Sequence, residues 1–223
     1  MKHLFIFVAF SVLSVSAVAQ NKIQLSDEST VSLITCGPGE ELYEAFGHTA
    51  IRVHDPVSEF DLVFNYGTFS FNQPNFYWRF VQGDLLYSLG INRYDNFVSS
   101  YEYYNRSVRE QFLDLTLLQK QAVIDKLMWN SEKENREYLY NYYFDNCSTR
   151  PRDIIQEALG GTIKFDSSFL GSDRLTIRQL THIYAMKQQP WGNLGIDLCL
   201  GQRIDQPTTA AEYMFLPEEL EKA

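Results

Sequence analysis

The residues best suited to chemistry are grouped around one cysteine. Cys147 stands in the run Asp145-Asn146-Cys147-Ser148-Thr149-Arg150-Pro151-Arg152-Asp153-Ile154-Ile155. Proline is accommodated in the first turn of a helix, where backbone donors lack partners in any case. Ile154, Ile155, Ala158 and Leu159 follow as an apolar stripe. The pattern predicts that Cys147 sits at a helix N-terminus. There the helix dipole and unpaired amides favour thiolate over thiol. Arg150 and Arg152 add positive charge nearby. A cysteine so placed is a candidate nucleophile, and the same amides are candidate oxyanion donors. Asn146 and Arg150, flanking the thiol, are candidate substrate contacts. The competing reading is plain: small polar residues often precede helices for capping alone, and many cysteines are buried and inert.

A cysteine nucleophile needs a base. Beyond His3, the histidines are His48, His54 and His182. His48 opens a β-like run, Thr49 to Val53, and a second such run spans Phe60 to Tyr66. If these form a hairpin with its turn centred between Pro56 and Val57, paired positions sum to 113. His48 then faces Asn65, which would hold the imidazole in a working tautomer. A slip of one residue would bring Tyr66 opposite instead and exchange the two faces; Tyr66 is a further candidate substrate contact. His54 lies further along the same run, about 20 Å away, and reads as part of the turn. His182 falls on a predicted helix beside Leu180 and Tyr184 and reads as packing or surface.

The elements that must position these groups are those of an α+β chain. Strands are expected at Val31–Thr35, at the two hairpin runs, at Asp84–Ile91 and at Val108–Leu115. Helices are expected at Glu40–Phe46, Asn75–Gln82 and Tyr94–Tyr104, and from a Thr116 cap through Trp129 with Leu117, Val123, Ile124 and Leu127 inward. Another runs from Cys147 to Leu159, where Gly160-Gly161 ends it. Further helices are expected near Thr176–Ala185 and from Pro217. No internal repeat or linker interrupts residues 20–223, so one α+β domain is expected. The aromatic stretch Phe69 to Phe80 reads first as a core helix and second as a lipid-facing surface.

The first residues have a different purpose. Met1–His3 is a short basic start, Leu4–Val15 is apolar, and Ala17-Val18-Ala19 is the small-residue pattern cut by signal peptidase. Residues 1–19 therefore read as an export signal, too short to span a bilayer, which takes about 20 apolar residues. The whole chain has 19 Lys and Arg against 28 Asp and Glu, a formal charge of −9. Removing Lys2 with the signal leaves −10. Such a balance argues against nucleic acid and against a polybasic grip on anionic lipid. Export places the three cysteines in an oxidising compartment. Three cannot all pair, so at least one thiol stays free or pairs with another chain. A Cys36–Cys199 disulfide is left open by elimination.

Four segments together carry a resemblance: Leu33-Ile34-Thr35-Cys36-Gly37-Pro38-Gly39, Phe46-Gly47-His48-Thr49-Ala50, Phe64-Asn65-Tyr66-Gly67-Thr68-Phe69 and Tyr142-Tyr143-Phe144-Asp145-Asn146-Cys147-Ser148-Thr149-Arg150-Pro151. A histidine strand preceding an Asn-Cys motif resembles the circularly permuted papain-like enzymes, among them NlpC-like hydrolases and the lecithin-retinol acyltransferase group. The match is closer to the bacterial Lnb N-terminal periplasmic domain family. The resemblance implies a permuted papain-like fold with an antiparallel sheet and a nucleophile helix. It implies a periplasmic location and N-acylation of a diacylated lipoprotein from a phospholipid donor through a thioester. Cys147 would be the nucleophile and His48 the base; no cofactor or metal is implied. Members of that family carry membrane-spanning helices after the periplasmic domain. This chain ends within a helix start at Pro217, so a truncated C-terminus is expected, with membrane association through the missing part. The same Cys-His pair would also serve an amidase or peptidase of cell-wall peptides. A non-enzymatic lipid- or protein-binding domain is the third reading.

Overall fold

The computed structural model describes residues 22–161, 163–171, 174–186, 190–199 and 201–223. The export signal expected at residues 1–19 lies outside them. Six antiparallel strands form one sheet: β1 (Thr30–Cys36), β2 (His48–Asp55), β3 (Phe60–Thr68), β4 (Leu86–Arg93), β5 (Val108–Phe112) and β6 (Glu137–Leu139). Their spatial order is β5-β1-β2-β3-β4-β6. The helices are α1 (Phe76–Gln82), α2 (Tyr94–Tyr103), α3 (Leu117–Ser131), α4 (Thr149–Ala158), α5 (Ile177–Ala185), α6 (Pro190–Cys199), α7 (Ala210–Tyr213) and α8 (Pro217–Lys222).

Period-2 patterning decides how the sheet is covered. On one side of β2, Ile51 and Val53 join Val31, Leu33 and Phe64 in the main core under Val123, Ile124 and Leu127 of α3 and Ile154 and Ile155 of α4. On the other side, Ala50, Ile34 and Val63 pack against Phe97 of α2. A separate core joins Ile177 and Leu180 of α5 to Tyr213, Phe215 and Leu216, with Phe46, Tyr143 and Phe144 against it. This last cluster brings the C-terminal segment against the loops that lead into β2 and α4.

Local chemistry explains most boundaries. Thr116, the expected cap, forms a capping box with Gln119 at the head of α3, and Thr176 does the same with Gln179 for α5. Gly160 and Gly161 both take positive φ after α4, as a helix stop requires. The helix expected at Glu40–Phe46 is reduced to a 3₁₀ turn, Leu42–Glu44. The carbonyl of Glu44 there receives the amides of both Gly39 and Gly47, and its carboxylate pairs with Arg106, so the chain folds back on itself. Leu117 is 37% exposed and does not join the inward face of α3. His54 is in β2 itself, opposite Thr30 and Asp61, and is not part of the turn.

The hairpin register also departs from expectation. Ile51 pairs with Phe64 and Asp55 with Phe60, so paired positions sum to 115 and the turn is centred between Val57 and Ser58. Asp55 accepts the amide of Val57 and Glu59 takes φ 53, which lets Pro56–Glu59 form the turn. The shift is two residues, so every side chain keeps its face. Asn65 is therefore diagonal to His48 on that face, within side-chain reach of it.

Candidate active site

Glycine places the histidine. Gly47 has φ 76, and a Cβ there would lie 2.6 Å from the carbonyl oxygen of Cys36. Only glycine turns the chain so closely beneath β1 and delivers His48 as the first residue of β2. Asn65 sits in β3 just before a register irregularity in its pairing with β4, between Asn65 and Thr68. Such irregularities re-aim side chains at a strand's end. His48 Nε2 and Asn65 Oδ1 are hydrogen-bonded. Asn65 Oδ1 can only accept, so Nε2 carries the proton and Nδ1 is left for the sulfur of Cys147.

Cys147 arrives from the other direction, immediately before α4. It is buried, at 9% exposure. Burial alone would push its thiol up. The charge and hydrogen bond of His48, the amide of Thr49 and the hydroxyl of Tyr140 outweigh this, so the thiol lies below its ordinary value. The imidazole shows the mirror effect. Burial pulls His48 down, while Cys147 and the Asn65 bond lift it above its usual value. The direction in both cases is toward a thiolate–imidazolium pair. Cys36 provides the contrast. It lies opposite His48 on β1, bonds Tyr101 and is pushed by burial up to about 12. It is a free, buried thiol with no disulfide, so the Cys36–Cys199 pairing is not formed; the Cys199 side chain lies outside the described residues.

The helix-terminal amides are distributed unevenly. Asn146 is buried; its Oδ1 accepts the amides of Ser148 and Thr149, each at 2.8 Å. Its Nδ2 donates to the carbonyls of Tyr142 and Phe215. Asn146 thus holds the helix start and has no group left to contact a substrate. Of the nearby amides, Cys147 N–H alone points toward Tyr140, whose hydroxyl oxygen it meets at 3.5 Å. The start of α4 is thus closed by Asn146, and the Cys147 amide and the Tyr140 phenol lie together beside the sulfur.

Tyr140 was not visible as a site residue in the sequence. It lies in an irregular stretch after β6, and no motif or spacing marked it among so many tyrosines. Gly67, at φ 90, makes room: a Cβ there would lie 3.3 Å from Tyr140 Cε2 and 3.5 Å from Cys147 Cβ. Burial and the neighbouring Cys147 push the Tyr140 phenol well above its ordinary value, so it remains a proton donor.

The other expected substrate contacts are placed elsewhere. Tyr66 is 1% exposed within the main core, because β3 keeps its face and Tyr66 points toward α3 and α4. Arg150 forms a bidentate pair with Asp145, at 2.5 and 2.7 Å, and lies 3.3 Å from the centroid of the Tyr138 ring. It braces the loop before Cys147. Arg152 turns to Asp153 and the carbonyl of Ala211. His182 holds Asp197 of α6 and takes no part in the site. Among the described residues, no group of three His, Cys, Asp or Glu side chains is placed to hold a metal ion.

The geometry joins a histidine strand to a later cysteine helix, in the order seen along the chain. The family model for the Lnb N-terminal periplasmic domain matches residues 16–182, which include His48, Asn65 and Cys147. The chain belongs to the Lnb N-terminal periplasmic domain family. No curated protein and no solved structure matches it. As a periplasmic domain of the Lnb family it is an exported protein. Among its described residues no helix is long and apolar enough to cross a membrane.

Proposed function

We propose that this Lnb-family domain is a cysteine acyltransferase of permuted papain-like type that moves an acyl chain from a phospholipid to the amino terminus of a diacylated lipoprotein. The observation that supports the reading best is the chain of contacts Asn65–His48–Cys147, assembled from β3, β2 and the start of α4. The thiolate of Cys147 attacks the ester carbonyl carbon of the donor. A C–S bond forms, and negative charge develops on the former carbonyl oxygen. In this reading that oxygen is received by the amide of Cys147 and the hydroxyl of Tyr140, which exchange the hydrogen bond that now joins them for bonds to it.

As the intermediate collapses, the C–O bond breaks and the imidazolium of His48 protonates the leaving alcohol. The products are a lysophospholipid and a thioester on Cys147. The lipoprotein amine then attacks the thioester. Neutral His48 takes the amine proton, the C–S bond breaks, and the thiolate–imidazolium pair is restored. Asn65 keeps Nδ1 aimed at sulfur throughout. No step calls for a cofactor.

The test is to incubate the purified domain with phospholipid in detergent micelles and measure its intact mass. The expected result is an increase of one acyl group, removed by neutral hydroxylamine and absent from Cys147→Ala. A wild-type protein that never acquires the adduct, but cleaves cell-wall peptides through Cys147, would replace this reading with that of an amidase.

A further inference from the structure

An aromatic wall runs from the reactive sulfur to the surface. Tyr140, which bonds Cys147, stacks on Tyr87 with centroids 4.3 Å apart. Tyr87 meets Phe69 at 5.0 Å, and Phe69 meets Phe71 at 5.0 Å. Phe76 of α1 packs on both phenylalanines, and Tyr43 meets Phe69 edge-on. The inner rings are buried or half-buried, but Phe71 is 66% exposed and Tyr43 is 54% exposed. Tyr87 belongs to the main core, and Phe69, Phe76 and Tyr140 line its edge. The wall stays open at one end and touches the nucleophile's partner at the other. Contiguous exposed apolar surface of this kind marks a binding site.

We infer that this wall is the seat of the donor's acyl chain. The inference rests on the acyl-transfer reading of Cys147 and adds where the chain lies. Attack at an ester carbonyl leaves the fatty chain attached to the carbon that sulfur joins. The chain must therefore leave the site along a surface continuous with Cys147, and the rings from Tyr140 to Phe71 are such a surface. The occupant is apolar on charge grounds as well. The whole chain carries a formal −9, which disfavours an anionic headgroup as the source of affinity. A second exposed apolar face, Trp191, Leu194 and Leu198 on α6, has no such continuity with the sulfur in the ring contacts described.

The experiment uses the Cys147→Ala protein, so that binding is read without turnover. The probe is a lysophosphatidylcholine of palmitoyl chain length with a diazirine at the chain end, used below its micelle concentration. After irradiation, crosslinks are mapped by peptide mass spectrometry. The expected products lie within residues 69–76, and Phe71→Asp lowers their yield about tenfold, the scale of one lost ring contact. Phe71→Ala serves as a milder second variant, with thermal melting to show that both fold. Crosslinks concentrated on α6, or a yield unchanged in both variants, would overturn the seat. So would labelling that appears only with vesicles, which would make the patch a bilayer-docking face. Failure of acyl transfer itself is read separately, as absence of the mass adduct on Cys147.

Discussion

In the proposed reaction His48 acts twice, and Asn65 orients it. The imidazolium is lifted by its two partners, Cys147 and Asn65. Removing Asn65 takes away one group that favours the charged ring. In Asn65→Ala the alkaline limb of the acylation rate should therefore move to lower pH, because the acid that protonates the leaving alcohol is lost sooner. The acid limb belongs to Cys147, whose thiol is held below its ordinary value chiefly by His48 against the effect of burial. A pH–rate profile of adduct formation reads both limbs; an alkaline limb that does not move would remove Asn65 from the mechanism. Tyr140 is tested by a single atom. Tyr140→Phe keeps the ring stack on Tyr87 but deletes the donor. Its acylation rate should fall on the order of 10²- to 10³-fold with KM little changed, as for other oxyanion donors. Single-turnover acylation at saturating donor measures this directly. Cys147 and His48 were legible as candidates because their types are few and their settings distinctive. Tyr140 was not, since its function depends on the space Gly67 leaves and on no spacing in the sequence.

At the scale of elements, the start of α4 is the part most finely built. Asn146 closes two amides with one oxygen and ties two carbonyls with one nitrogen. Asn146→Ala should lower stability by about 1–2 kcal/mol from the cap alone. The buried Phe215 carbonyl, left without its donor, adds to that loss. Urea unfolding monitored by circular dichroism gives the value, and a change within error would argue that Asn146 does not hold the helix start. Strands β1 to β5 and the cap at Thr116 were readable because alternation and helix caps are local signals, whereas the three-residue β6 is too short to show a period. The hairpin register was not. Its turn was centred one position too early, since the φ of Glu59 and the Asp55–Val57 bond do not show in composition. Asn65 still meets His48 because a shift of two residues preserves the face. A shift of one would have brought Tyr66 to the site and sent Asn65 into the core.

Across the whole molecule, the site lies where three regions of sequence meet. β1 to β3 bring Cys36, His48 and Asn65. The segment after β6 brings Tyr140, Asn146 and Cys147. The C-terminal segment brings the carbonyls of Met214 and Phe215, which receive Ser148 and Asn146 across separations of 66 and 69 residues. That last contact had no signature in the sequence, because backbone carbonyls carry no residue type. The α+β class and the antiparallel sheet were legible, and so was the meeting of a histidine strand with a cysteine before a helix. The uses of Asn146, Arg150 and Tyr66 were not, since a polar or aromatic residue beside a nucleophile is as well suited to bracing the site as to touching substrate. The account rests finally on one thiol. Its most direct test is the mass spectrum of lipoprotein amino-terminal peptides from cells whose only copy of this gene encodes Cys147→Ala. The account predicts that N-acylated peptides present with the wild-type gene disappear and diacylated peptides with a free amine accumulate. N-acylation that persists unchanged in those cells would contradict it.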